Sequence, residues 1–182
     1  MPVIQIFAFR GTGGFQNPKY KSLPGLIKEG HVGIKFEDDP IIYGFHPSFK
    51  AEEDAGGEDK LLNLLLQHEP QEGVLQDDTV IFLQAKKLSE SGARTAVWVL
   101  DREVADEAYE EIKQRTIQWY TDGKVFQYNL PNGDGSFNTD EYNCAVFPKL
   151  LGIDIPLDNG KVYLYIQKMI ELGASEWQPT RE

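Results

Sequence analysis

A chain of 182 residues with 41% hydrophobic and 26% charged side chains has the composition of a globular protein and the length of one domain. Its formal net charge of −11 argues against a nucleic-acid or anionic-membrane partner, and no run approaches the ~18 apolar residues of a membrane span. Cys144 is the only cysteine, so no internal disulfide forms and a reducing cytoplasm is the default compartment.

Residues 3–9 read as a buried first strand, since the N-terminus lacks the basic start and small-residue cleavage site of a leader. Arg10-Gly11-Thr12-Gly13-Gly14 is glycine-rich but lacks the Lys-Ser/Thr of a phosphate loop, and a tight turn beside a site is expected instead. A polar stretch with Pro18 and Pro24 leads to Gly30. Strands are expected at 31–36 and 41–46, separated by Glu37-Asp38-Asp39-Pro40. The acidic run 51–59 reads as a mobile surface loop and 60–68 as a short helix. Further strands are expected at 79–83 and 95–100. Asp101 is expected to cap a helix over about 103–119, with Val104, Ala108, Ile112 and Arg115 at helical spacing. A polar loop follows over 131–140. A helix starting near Cys144 ends at Gly152, and a last apolar helix over 162–172 closes the domain. The fold class is α+β, a single domain with an antiparallel sheet packed against helices.

The hairpin around His31 yields a definite register. A two- or four-residue turn centred on Asp38-Asp39 sets Phe36 opposite Ile41, Ile34 opposite Tyr43 and Val32 opposite Phe45, an unbroken apolar face. The same register sets His31 across from His46 on the other face, beside Gly33 and Gly44. Two imidazoles over glycines that leave room for a substrate or a second element suggest a site.

Cys144 is the matching nucleophile. Asn143 is a good N-cap, which would set Cys144 in the first turn of a helix, where the dipole and free N–H groups stabilise a thiolate. The same N–H groups can stabilise the oxyanion of an acyl-transfer intermediate. A nucleophilic cysteine needs a base; His31 is the candidate, with His46 to orient it as the third member of a triad.

The segments Gly30-His31-Val32-Gly33-Ile34 and Tyr142-Asn143-Cys144-Ala145-Val146-Phe147 resemble the two active-site blocks of circularly permuted papain-like hydrolases. That group includes the permuted NlpC-type peptidases, the PPPDE-type peptidases and the lecithin retinol acyltransferases. In the permuted order the histidine strand precedes the cysteine helix, as here. The resemblance implies a papain-like fold, Cys144 as nucleophile, His31 as base, and a polar third residue for which His46 is the candidate. Tyr142 and Asn143 would support the oxyanion, and Gly33 and Gly44 would line the substrate. One departure is Pro148, which lacks the N–H that would bond the Cys144 carbonyl in a helix.

Other constellations fit less well. Asn132, Asp134, Ser136, Asn138 and Asp140 alternate like calcium ligands, but Phe137 and Asn143 stand where an EF-hand loop needs Gly and Glu. Zinc would need close ligand pairs that are missing, and His68 reads as a residue closing a helix. No metal or cofactor is therefore expected. Three functions stay open: hydrolysis of an amide bond through a thioester on Cys144, transfer of that acyl group to an amine or alcohol, or a binding domain in which Cys144 is merely packed. The partner would be a peptide or acyl substrate, with a protein partner or inhibitor left open.

Overall fold

The computed structural model describes residues 1–11, 30–91 and 96–178. The glycine turn beyond Gly11 and the stretch with Pro18 and Pro24 lie outside these residues. The chain is α+β. Eight strands, β1 (Val3–Arg10), β2 (Gly30–Phe36), β3 (Tyr43–Pro47), β4 (Gln71–Asp77), β5 (Val97–Glu103), β6 (Phe126–Tyr128), β7 (Glu141–Tyr142) and β8 (Ser175–Glu176), form one sheet in the order β7-β6-β4-β3-β2-β1-β5-β8. Every neighbouring pair is antiparallel except β6 and β7, so the sheet is mixed rather than purely antiparallel.

β1 alternates between two cores, as the two-residue period of a strand requires. Ile4, Ile6 and Ala8 join Val32, Ile34, Phe36 and Leu100 in the larger core; Phe7 and Phe9 join Val97, Val99 and Phe82 in the smaller. Helices α4 (Asp106–Asp122), α5 (Phe147–Leu151) and α6 (Val162–Glu171) supply Ile112, Phe147 and Tyr165 to the larger core. Helix α3 (Thr79–Glu90) supplies Phe82 and Ala85 to the smaller. Covered on both sides, β2 is buried along almost its whole length, as a strand between two helical layers should be.

Several expectations change. The acidic run 51–59 is not a loop but belongs to two short helices, α1 (Phe49–Ala55) and α2 (Glu58–Leu66). Ser48 Oγ caps α1 by accepting from Ala51 N–H, and Gly56, at φ 95°, ends it. Ala51, Leu61 and Leu65 are buried, which gives both helices an inner face.

Residues 79–83 are helical, not extended. Their β-branched and aromatic content suits a strand, but Asp77 Oδ1 accepts from both the N–H and the hydroxyl of Thr79 and starts a helix. Phe82 and Ala85, one turn apart, then face the sheet.

The helix expected over 103–119 begins at Asp106, because β5 continues to Glu103. Asp101 caps nothing; its carboxylate accepts from Gln5 Nε2 across the strands at 3.0 Å.

The hairpin register is observed as expected at Gly33–Gly44 and Ile34–Tyr43. The ladder stops there. Ile41 and Ile42 leave the strand, and Ile42 pairs with the start of α3: its N–H donates to Thr79 Oγ1 and its carbonyl accepts from Asp78 N–H at 2.8 Å. That detour ties α3 to the hairpin and carries Asp78 to the histidines.

Candidate active site

His31, at the start of β2, is fully buried, and its Nε2 lies 2.6 Å from Asp78 Oδ2. His46, near the end of β3, sets its Nε2 3.0 Å from the other oxygen, Asp78 Oδ1, and its Nδ1 3.3 Å from the carbonyl of Pro47. The two rings stand 5.9 Å apart and nearly perpendicular, so they are neighbours as expected but do not bond each other. One buried carboxylate joins them. His46 therefore does not orient His31 directly, as expected of a triad's third member; Asp78 does, and His46 holds the far oxygen of Asp78.

Asp78 is the residue that sequence reasoning missed. It is the N-cap of α3, yet its side chain makes no capping bond, because both oxygens face histidines. Its neighbours take over the capping: Asp77 binds Thr79, and Phe82 N–H donates to the Asp78 carbonyl at 3.1 Å. The doubled Asp77-Asp78 before an apolar run was the available signal, since one aspartate suffices to start a helix.

Gly33 and Gly44 make this packing possible. A Cβ on Gly44 would stand 1.7 Å from Asp78 Oδ2 and 2.5 Å from His31 Nε2. A Cβ on Gly33 would meet Phe82 Cε2 at 2.7 Å and Ile42 Cγ2 at 2.8 Å. The room beside these glycines is thus filled by Asp78, His31, Phe82 and Ile42 rather than left open. The Phe82 ring also lies 5.7 Å from that of His31 and fixes its plane.

With Nε2 on a carboxylate, which only accepts, the His31 proton sits on Nε2 and Nδ1 is left over. Nδ1 is buried and makes no regular hydrogen bond, while the sulfur of Cys144 acts on the ring through its charge and as a hydrogen-bond partner. Burial opposes a charge on His31, but Cys144 and Asp78 outweigh it and push its pKa up to about 10. Burial also opposes the Asp78 carboxylate, and the two histidines bring its pKa down to about 2. The structure therefore brings Cys144, His31, Asp78 and His46 into one chain of contacts.

Cys144 is 5% exposed and lies in the turn before α5. Asn143 builds that turn. Its Oδ1 accepts from the N–H groups of Ala145 at 3.0 Å and Val146 at 3.4 Å, and its carbonyl accepts from Phe147 N–H at 3.1 Å. Asn143 thus caps the turn but not the helix: the helix N-cap is Val146 and regular helix begins only at Phe147, so Cys144 does not stand in the first turn of a helix as expected, and its N–H lies outside the bonds made by Asn143. Pro148 consequently falls in the first turn of α5, where its missing N–H costs nothing. Asn143 Nδ2 donates to Gly160 O at 2.9 Å, so both ends of the amide are engaged in holding the turn. Tyr142 is half-buried; its carbonyl accepts from Asn129 N–H, and its ring packs edge-on against Phe147 at 6.0 Å. It supports the same turn from β7. His68 lies outside the site, with its carbonyl accepting from Asn129 Nδ2.

Among the described residues no group of three or more His, Cys, Asp or Glu side chains is arranged to hold a metal ion, and no helix is long and apolar enough to cross a membrane. In the 131–140 loop, Asp134 Oδ1 accepts from the N–H and hydroxyl of Ser136, which closes the loop on itself. No protein-family model, curated protein or solved structure matches the chain.

Proposed function

We propose that the chain is a cysteine hydrolase that cleaves an amide bond through a thioester on Cys144, with His31 as base and acid and Asp78 as the residue that orients it. The observation that carries this reading is the His31 ring: Nε2 is fixed 2.6 Å from a buried carboxylate, while the buried Nδ1 makes no regular hydrogen bond and is left to Cys144, the only thiol. A merely packed cysteine needs neither a histidine held in one tautomer nor an acid behind it.

The steps balance on these groups. At rest the proton of Cys144 sits on His31 Nδ1, so that His31 is charged, and the Cys144 thiolate attacks the substrate carbonyl carbon. The C–N bond then breaks, and the amine leaves with the proton from Nδ1. Water next gives a proton to Nδ1 and attacks the thioester, which restores the thiolate and releases the acid. His31 charged in the resting site favours a thiolate next to it.

The chain order, with the His31 strand before the Cys144 turn and helices on both faces of the sheet, supports the permuted papain-like reading. The third partner then departs from the expected histidine and is Asp78, with His46 behind it. An acidic protein with a free thiol suits a reducing compartment and a neutral or cationic peptide or acyl substrate.

Acyl transfer uses the same nucleophile, and the product separates the two. With a p-nitrophenyl ester as probe, the wild type is expected to release nitrophenolate in a burst and to carry the acyl mass on the Cys144 peptide. Cys144→Ala should show neither. Decay of the adduct to free acid in water marks a hydrolase; decay only on adding an amine marks a transferase. No adduct on Cys144 would leave a binding domain as the reading.

A further inference from the structure

Asn143, which builds the cysteine turn, donates from its Nδ2 to the Gly160 carbonyl. That same bond pins the entry of α6 to the cysteine turn: Gly160 lies one residue before the helix N-cap Lys161, and Tyr165 N–H donates to the Lys161 carbonyl one turn later. Tyr165 is completely buried in the core cluster that also holds Cys144 and Ala145, yet its hydroxyl has no hydrogen-bond partner among the described residues. A buried hydroxyl without a partner is costly, and native structures rarely keep one without a use.

We propose that the Tyr165 hydroxyl is the side-chain donor of the oxyanion site, hydrogen-bonding the acyl oxygen of the substrate as Cys144 attacks, with the N–H of Cys144, which the Asn143 cap leaves out, as the second donor. This rests on Cys144 being the nucleophile. As the C–S bond forms, the carbonyl π pair moves onto oxygen, and Tyr165 and the Cys144 N–H hold that charge. When the intermediate collapses, the pair returns to re-form C=O and the leaving group departs. Burial and the charges around it hold the hydroxyl protonated: burial first, then the charge at Cys144, raise its pKa, and Arg102 opposes them. It is a donor throughout.

Tyr165→Phe separates this role from a structural one, since it removes only the unpaired hydroxyl. Iodoacetamide attacks sulfur without forming an oxyanion, so the variant should alkylate at the wild-type rate and pH profile. Acylation by a p-nitrophenyl ester passes through the oxyanion and should fall about 10²-fold. Its melting temperature should equal or exceed that of the wild type. Unchanged acylation would overturn the proposal, as would equal loss of both reactions. If wild-type Cys144 reacts with iodoacetamide like an ordinary thiol, the nucleophile assignment falls first, and Tyr165 with it.

Discussion

Asp78→Ala is expected to lower stability by about 3–5 kcal/mol and Cys144 acylation by about 10³-fold or more. Both histidines lose their acceptor in one step, and a buried His31 is left with no carboxylate to hold its Nε2 proton. Denaturant unfolding and the nitrophenyl-ester burst measure the two effects separately. Asp78→Asn divides the bond from the charge. An Asn oxygen can still accept from His31 Nε2, its NH₂ can donate to His46 Nε2, and His46 Nδ1 can donate to Pro47 O. The fold should therefore survive better than in the alanine variant.

The charge shows in pH. Asp78 has its pKa lowered in the folded chain from 3.8 to about 2. Its contribution to stability, about 2–3 kcal/mol, is therefore full above pH ~4 and is lost as pH falls through about 2. In Asp78→Asn that acid loss should vanish. His31 is raised from 6.5 to about 10, so its contribution is present below pH 6.5 and lost as pH rises through about 10. Asp78→Asn should bring that alkaline loss to lower pH. A stability curve with the same acid and alkaline limbs as the wild type would contradict the assignment of Asp78.

Gly44→Ala is the second large expected effect. The added methyl would stand 1.7 Å from Asp78 Oδ2, closer than any contact allows, and Asp78 is buried and held by both histidines. Asp78 must swing off at least one histidine, at about 3 kcal/mol, with loss of acylation comparable to that of Asp78→Ala. Gly133→Ala is the control. Nothing lies within 4 Å of a Cβ there, and its stability should stay within about 0.5 kcal/mol of wild type. If Gly44→Ala behaves like Gly133→Ala in chemical denaturation and ester turnover, the tight clamp over Gly44 is not needed.

What the sequence made legible follows from locality. The hairpin register could be read because side chains alternate with a period of two and one apolar face fixes the phase, and the pairs Gly33–Gly44 and Ile34–Tyr43 agree with it. The turn that Asn143 closes around Cys144 is local too, although the helix starts later than expected, with Val146 as its N-cap. Asp78 was hidden for the opposite reason. It lies far along the chain from His31 and at the head of a helix whose apolar residues 80–83 imitate a strand. Its capping chemistry, the one local clue, is carried out by Asp77 and Thr79 instead. Of the two occupants expected beside Gly44, a substrate or a second element, the structure places the second, and the atom that fills the room comes from that distant helix. The acidic run 51–59 looked unstructured by charge alone, although Ser48, Gly56 and the buried Ala51 mark a capped helix.

The most direct test of the account is the pH dependence of Cys144 alkylation by iodoacetamide in the wild type and in His31→Ala. Wild-type alkylation is expected to stay fast well below pH 8.5, the reference for a free thiol, and this low-pH reaction to disappear in His31→Ala. A wild-type profile like that of an ordinary thiol, or one unchanged by His31→Ala, would contradict it and leave Cys144 as a packed side chain in a binding domain.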